Sequence, residues 1–231
     1  MEDSKTRKLK ISKLILILLP IILILGVKFV DRNYWLISML VIIIAIGQFF
    51  SLFEKRKPKA REIVPIAIIS AIAAVGRFAF AMLPQFKPVA AVVIITGIAF
   101  GSEVGFLTGA ISALVSNFFF GQGPWTPWQM FAFGIIGYLA GILYKHNIIK
   151  GKLSICIYGG FSGYLYGLIV NLWSIFSYGE IISRQLIIST YISSIPFDTI
   201  HALSTVLFLY ILAIPIKTKM ERVKMKYGLF L

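Results

Sequence analysis

The chain has 231 residues, of which 58% are hydrophobic and only 14% charged, and a mean hydropathy of +0.89. One water-soluble core of this size cannot hide that much apolar surface, so the composition excludes a soluble globular domain and implies an integral membrane protein. The formal net charge of +14 does not point to nucleic acid, because the lysines and arginines fall in short polar segments between apolar runs.

A membrane helix needs about 20 apolar residues to cross roughly 30 Å of hydrocarbon. Taken in chain order, the apolar runs predict eight spans at 13–30, 34–53, 63–83, 88–101, 103–119, 127–144, 153–177 and 186–216. The basic N-terminal segment followed by an apolar run resembles a secretory signal, but no small-x-small cleavage site follows it, so it reads as a retained anchor helix. The fourth run is short for a full crossing, and the last two are long enough to begin or end outside the hydrocarbon. The segment "EKRKPKARE" at 54–62 is the most hydrophilic break, and its Pro58 and charge run predict a seam. The chain then divides into a two-helix extension with a basic linker at 1–60 and a six-helix unit at 61–231.

Orientation follows from the basic residues. With the N-terminus in the cytoplasm, eighteen of the 23 lysines and arginines collect on that side, and Lys28, Arg32, Arg77, Lys87 and Arg184 make up the remainder. Both termini are therefore expected in the cytoplasm of a multi-pass protein of a prokaryotic cell membrane, with the loop around Trp125 outside.

Enzymatic chemistry finds little support. Two histidines, His146 and His201, with no HExxH or similar spacing, do not assemble a metal site. GxxxxGK[ST] and GxSxG are both absent, so the chain carries neither a phosphate-cradling loop nor a nucleophile elbow. Cys156 is the single cysteine, which rules out a disulfide framework and reads as a small buried apolar residue. No permanently bound cofactor is expected.

What remains is packing and binding. The third span carries small residues four apart, Ala67 with Ala71 and Ser70 with Ala74. Such a strip lets a second helix approach closely in lipid, either within the bundle or from another protein. Charges inside the hydrocarbon are costly and mark function by default. Arg77 lies about two turns from the outer end of its span, where it could snorkel to the headgroups. Asp198 and His201, three residues apart, share a helix face at a similar depth. An Arg77 to Asp198 pair would neutralise both, and ligand binding is the other reading. Glu103 sits at a turn and most simply caps a helix start.

The stretch "SNFFFGQGPWTPWQMFAFG" at 116–134 is uncharged and rich in turn formers. Trp125 and Trp128 could belong to an interfacial aromatic belt, but a belt does not need Gly121, Gly123, Pro124 and Pro127. Those residues set a tight backbone that could hold both indoles over a cavity edged by Asn117, Gln122 and Gln129, which is the composition of a pocket for an organic ligand.

These residues carry a resemblance. From Arg61 onward, the motif "AIISA", the run "LTGAISALVSNFFFGQGPWTPWQMFAFGIIGYLAG" and the segment "PFDTIHALSTVLFLYIL" are similar to the S-components, the substrate-binding membrane subunits of energy-coupling factor (ECF) vitamin transporters. The resemblance implies a six-helix bundle that binds a vitamin on its outer side and topples to release it inside. It also implies two kinds of partner, a transmembrane coupling subunit and two cytoplasmic ATPases, and so a subunit without catalysis of its own. The small-residue face, Ala67 and Ala71 with Ser70 and Ala74, is implied to meet the coupling subunit. The specific run is most similar to cobalamin-type members, which makes a corrinoid the leading ligand. Thiamine, riboflavin, biotin, folate and queuosine precursors are carried by other members. A self-sufficient ion-coupled transporter using Asp198 or His201, and a non-transporting membrane scaffold, are the alternatives. The two extra N-terminal helices are not part of the usual six and must leave Ala67 and Ala71 exposed.

Overall fold

The computed structural model describes residues 34–54, 58–177 and 182–230, and among these every regular element is a helix. There are seven: α1 (Tyr34–Glu54), α2 (Ala60–Ala79), α3 (Val89–Phe100), α4 (Ser102–Phe120), α5 (Thr126–Lys145), α6 (Lys152–Ser177) and α7 (Arg184–Tyr227). They match the expected spans from the second onward; the expected span at 13–30 lies outside the described residues. Five of them, α2 and α4 to α7, are long and apolar enough to cross a membrane.

Local chemistry sets the helix ends. The backbone N–H of Lys59 donates to Glu62 Oε2 at 3.0 Å, closing the start of α2. Gly101, at φ 106°, separates α3 from α4, and Gly121, at φ 97°, ends α4. Both angles lie in the region where a Cβ is penalised, so glycine is the residue that permits these breaks. Pro127 stands in the first turn of α5, where a missing N–H costs nothing. Ser183 Oγ accepts from Leu186 N at 3.1 Å to start α7, and Gly228 in the left-handed conformation ends it.

The expected short span is real and has a physical reason. All 12 residues of α3 are buried, so it is apolar all round because it touches protein all round. At about 18 Å long it is the central post of the bundle, packed against α2, α4, α5, α6 and α7. The last helix departs from expectation in the opposite sense. It runs unbroken for 44 residues through Pro196 and Pro215, about 66 Å, so it projects well past a hydrocarbon layer about 30 Å thick. After Gly228 the chain turns back: Phe230 N donates to Glu62 Oε1 at 2.7 Å, and the Phe230 ring meets Phe100 at 5.1 Å. The far end of α7 is thereby tied to the start of α2. The other helix before the seam, α1, packs on α4, α5 and α6, where Phe49 stacks on Phe106 at 3.6 Å.

Glycines allow the closest approaches. A Cβ on Gly137 of α5 would meet the Gly105 carbonyl of α4, and one on Gly105 would meet the Gly137 carbonyl in return. In lipid, where helices gain little from hydrophobic exclusion, close packing of this kind is one source of cohesion. Gly137→Val is expected to destabilise the bundle by about 3 kcal/mol, since neither backbone can yield, and to lower the melting temperature of the detergent-purified protein. Gly47→Val is the matched control, with open space around a Cβ.

Candidate functional site

The site is a buried polar network where α2, α4 and α5 meet. Arg77 on α2 is only 9% exposed. Its Nη1 donates to Ser116 Oγ at 2.6 Å and to Asn117 Oδ1 at 2.9 Å, both on α4. Asn117 Nδ2 in turn donates to Thr126 Oγ1 at 3.0 Å and to Gln129 Oε1 at 2.9 Å on α5. Thr126 Oγ1 donates to Gln122 Oε1 at 3.0 Å and accepts from Gly123 N at 3.2 Å, while Gln122 Nε2 reaches Leu114 O at 2.9 Å. One chain of hydrogen bonds thus runs from a guanidinium inside the bundle to the turn at 121–125. A charged group removed from water is tolerable only when its hydrogen bonds are met in this way.

Arg77 therefore does not pair with Asp198. Asp198 Oδ2 accepts from Ser194 Oγ at 2.8 Å, and the carboxylate lies over Gly167 of α6, where any Cβ would collide with it. Rather than reaching outward, the guanidinium is turned into the bundle, onto Ser116 and Asn117 of α4. His201 is 3% exposed and faces aromatic rings: Tyr166 at 4.8 Å, edge to face, and Phe133 at 6.1 Å. Its Nδ1 has no hydrogen-bond partner.

The two tryptophans of the loop separate. Trp125 is exposed, its ring laid along Gly123 in a space that a side chain there would need. Trp128 points inward, 1% exposed, with Phe176 at 6.0 Å and its Nε1 unpartnered. They are thus not a matched pair over one opening. Trp128→Ala is expected to cost about 3–5 kcal/mol through the cavity it leaves, and Trp125→Ala less than about 1 kcal/mol, both read as thermal unfolding in detergent.

The four small residues of α2 divide as well. Ser70 and Ala74 face inward at 0% and 1% exposure, with Ser70 Oγ donating to Thr108 O at 3.4 Å. Ala67 and Ala71 remain exposed, and α1 packs elsewhere in the bundle. Among the described residues, only the second pair is therefore open to another helix. Glu103 lies in the first turn of α4, behind Gly101.

Some groups of the candidate site escaped the sequence reading. Thr126 is the hub of the network and Ser116 its closest acceptor, but neutral hydroxyls in an apolar run give no signal of their own. The place of Lys87, on the connection between α2 and α3, was detectable only as one of the few basic residues away from the basic side. At the opposite end of the bundle is a cleft of about 780 Å³ lined by Ser102, Glu103, Lys145, Glu221, Lys224 and others; none of the expected pocket residues borders it. Among the described residues no group of three or more His, Cys, Asp and Glu is placed to hold a metal ion.

No solved structure is matched by the chain. A UPF0397 protein of Vibrio atlanticus is 33% identical over 102 residues, 41% of this chain and 56% of the relative. UPF0397 proteins of Aliivibrio fischeri and Aliivibrio salmonicida are 34% and 35% identical over 100 residues, 40% of this chain and 54% of each relative. The chain thus spans about half the length of the curated relatives it matches. Residues 61–213 match the family model described as ECF transporter, substrate-specific component. That stretch holds the whole Arg77 network, His201, Asp198 and the small residues of α2. Its family members are transporter subunits that work with ECF transport subunits, and together with the apolar helices the match makes this a multi-pass membrane protein: the chain belongs to the ECF transporter substrate-specific components.

Proposed function

We propose that the chain is the ligand-binding subunit of an ECF-type importer for a vitamin or related micronutrient, with a corrinoid as the first ligand to test. The ligand enters from the side of the Trp125 turn and is released on the other side when the bundle topples. ATP hydrolysis by two partner ATPases supplies the work through a transmembrane coupling subunit. The single observation that carries this reading is the buried Arg77, Asn117, Thr126 and Gln129 network beneath the turn. A guanidinium held inside an apolar bundle by neutral groups gives little net stability for its desolvation cost, and such groups mark ligand paths. The charge distribution supports cytoplasmic termini, and the open pair Ala67 and Ala71 supports docking on α2.

The test is uptake of radiolabelled cobalamin into proteoliposomes containing the full chain alone, or together with the coupling subunit and both ATPases. Uptake that requires all partners and ATP is the expected result. Uptake by the chain alone, abolished by Asp198→Asn, would instead establish an ion-coupled carrier. No uptake with intact assembly would leave the scaffold reading.

A further inference from the structure

A second cation stands beside the Arg77 network. The Lys87 ammonium lies 5.1 Å from the centroid of the Phe120 ring, and the Arg77 guanidinium lies 4.9 Å from the same centroid. The two charges are therefore no more than 10.0 Å apart. Lys87 is held there by its backbone, because its carbonyl accepts from Ser204 Oγ of α7 at 3.1 Å. Burial, and next the charge of Arg77, lower the pKa of Lys87 from the ordinary lysine value.

Among the described residues nothing negative answers this pair. The partners of Arg77 are the neutral Ser116 and Asn117, and among the described residues neither cation has an ion pair. Asp198 is engaged with Ser194. His201, one turn before Ser204 on α7, is almost wholly buried and keeps its Nδ1 without a partner. An electron-rich ring can share two cations, but it does not cancel their repulsion. An anion would.

We propose that Arg77 and Lys87, flanking Phe120 and with His201 as the neighbouring hydrogen-bond group, form an anion subsite, so that the imported micronutrient carries a carboxylate or phosphate group. This rests on the ligand-binding reading and narrows it: a neutral or cationic micronutrient does not fit. A corrinoid fits through the phosphodiester of its nucleotide tail. Guanidinium and ammonium both favour such oxyanions, the former by paired hydrogen bonds and the latter as a point charge.

The test uses the full chain, freed of phospholipid in detergent, and probes matched except for that group: cobinamide phosphate against cobinamide, biotin against biotinamide, pyridoxal phosphate against pyridoxal, nicotinate against nicotinamide. Affinity is read by calorimetry. In the pair that binds, the anionic member is expected to bind at least about tenfold tighter, as a charge-assisted contact provides. Lys87→Met should erase that preference and Lys87→Arg should keep it. Equal affinity within the pair, or a preference unchanged in Lys87→Met, overturns the subsite and leaves a binding subunit. An anionic phospholipid retained through Arg77 in place of any probe also overturns it. Binding of no probe at all overturns the ligand-binding reading, and the subsite with it.

Discussion

Ala67→Trp is expected to abolish assembly with the transmembrane coupling subunit while leaving the chain folded and able to bind ligand. The two effects separate because of how α2 is turned. Ile66, Ser70, Ala73, Ala74 and Arg77 face the bundle, whereas Ala67 and Ala71 face outward. An indole at position 67 therefore projects away from the core, and no internal contact has to move. A helix docking there is a different matter. Close approach in lipid depends on small side chains at the crossing point, because packing replaces hydrophobic exclusion as the drive. A bulky ring at the crossing would push the axes apart and weaken association at least about 100-fold, close to 3 kcal/mol. Co-purification of tagged coupling subunit with the variant measures the loss, and an unchanged melting temperature shows that the chain itself is intact. Full assembly of Ala67→Trp would place the docking face elsewhere.

Asn117→Leu is expected to be the most damaging substitution in the polar network. Asn117 is 1% exposed and serves both sides: its oxygen accepts from Arg77, and its amide nitrogen donates to Thr126 and Gln129. Leucine is close in volume, so the change removes hydrogen bonds and leaves packing nearly unaltered. Arg77 would then hold a buried charge with Ser116 as its remaining bonded acceptor, and breaking one side of a buried charged arrangement costs about 3–5 kcal/mol. Thermal unfolding in detergent should show a large drop, partly recovered in Arg77→Met with Asn117→Leu, where no charge is left to desolvate. A small drop in the single variant would mean that water reaches Arg77 and that the network is not closed.

The helices were legible because the membrane leaves few choices. Runs of apolar residues between charged breaks must be helices in hydrocarbon, and from α1 onward their limits emerge from hydropathy to within a few residues, apart from the far end of α7. That end ran on to Tyr227 because the residues after Pro215 are good helix formers, and because Leu229 and Phe230 have a buried place to go. Hydropathy sees neither reason. The short α3 was visible as a length anomaly, but its role as the central post depends on which neighbours surround it.

The site was legible in part. Turn formers and tryptophans marked 116–134 as unusual, and the cost of burial marked Arg77. What joined them was invisible: the pairing of Arg77 with α4 rather than with Asp198 depends on the rotation of α2 about its own axis. The same rotation decided that Ser70 and Ala74 pack inside while Ala67 and Ala71 do not. Trp125 and Trp128, three residues apart in chain, diverged because the turn ends between them, so only Trp128 belongs to the helix proper. Lys87 was missed because a lone lysine in a loop looks like solvent contact until its ring partner, Phe120, is in place.

The most direct measurement is mass spectrometry, with a visible absorption spectrum, of the small molecules released from the detergent-purified full chain after growth with a corrinoid supply. A stoichiometric micronutrient, lost in Arg77→Met, is the predicted result, and a corrinoid spectrum would name it. A chain that carries no small molecule, even after excess of each vitamin has been offered, would contradict the assignment of this protein as a binding subunit.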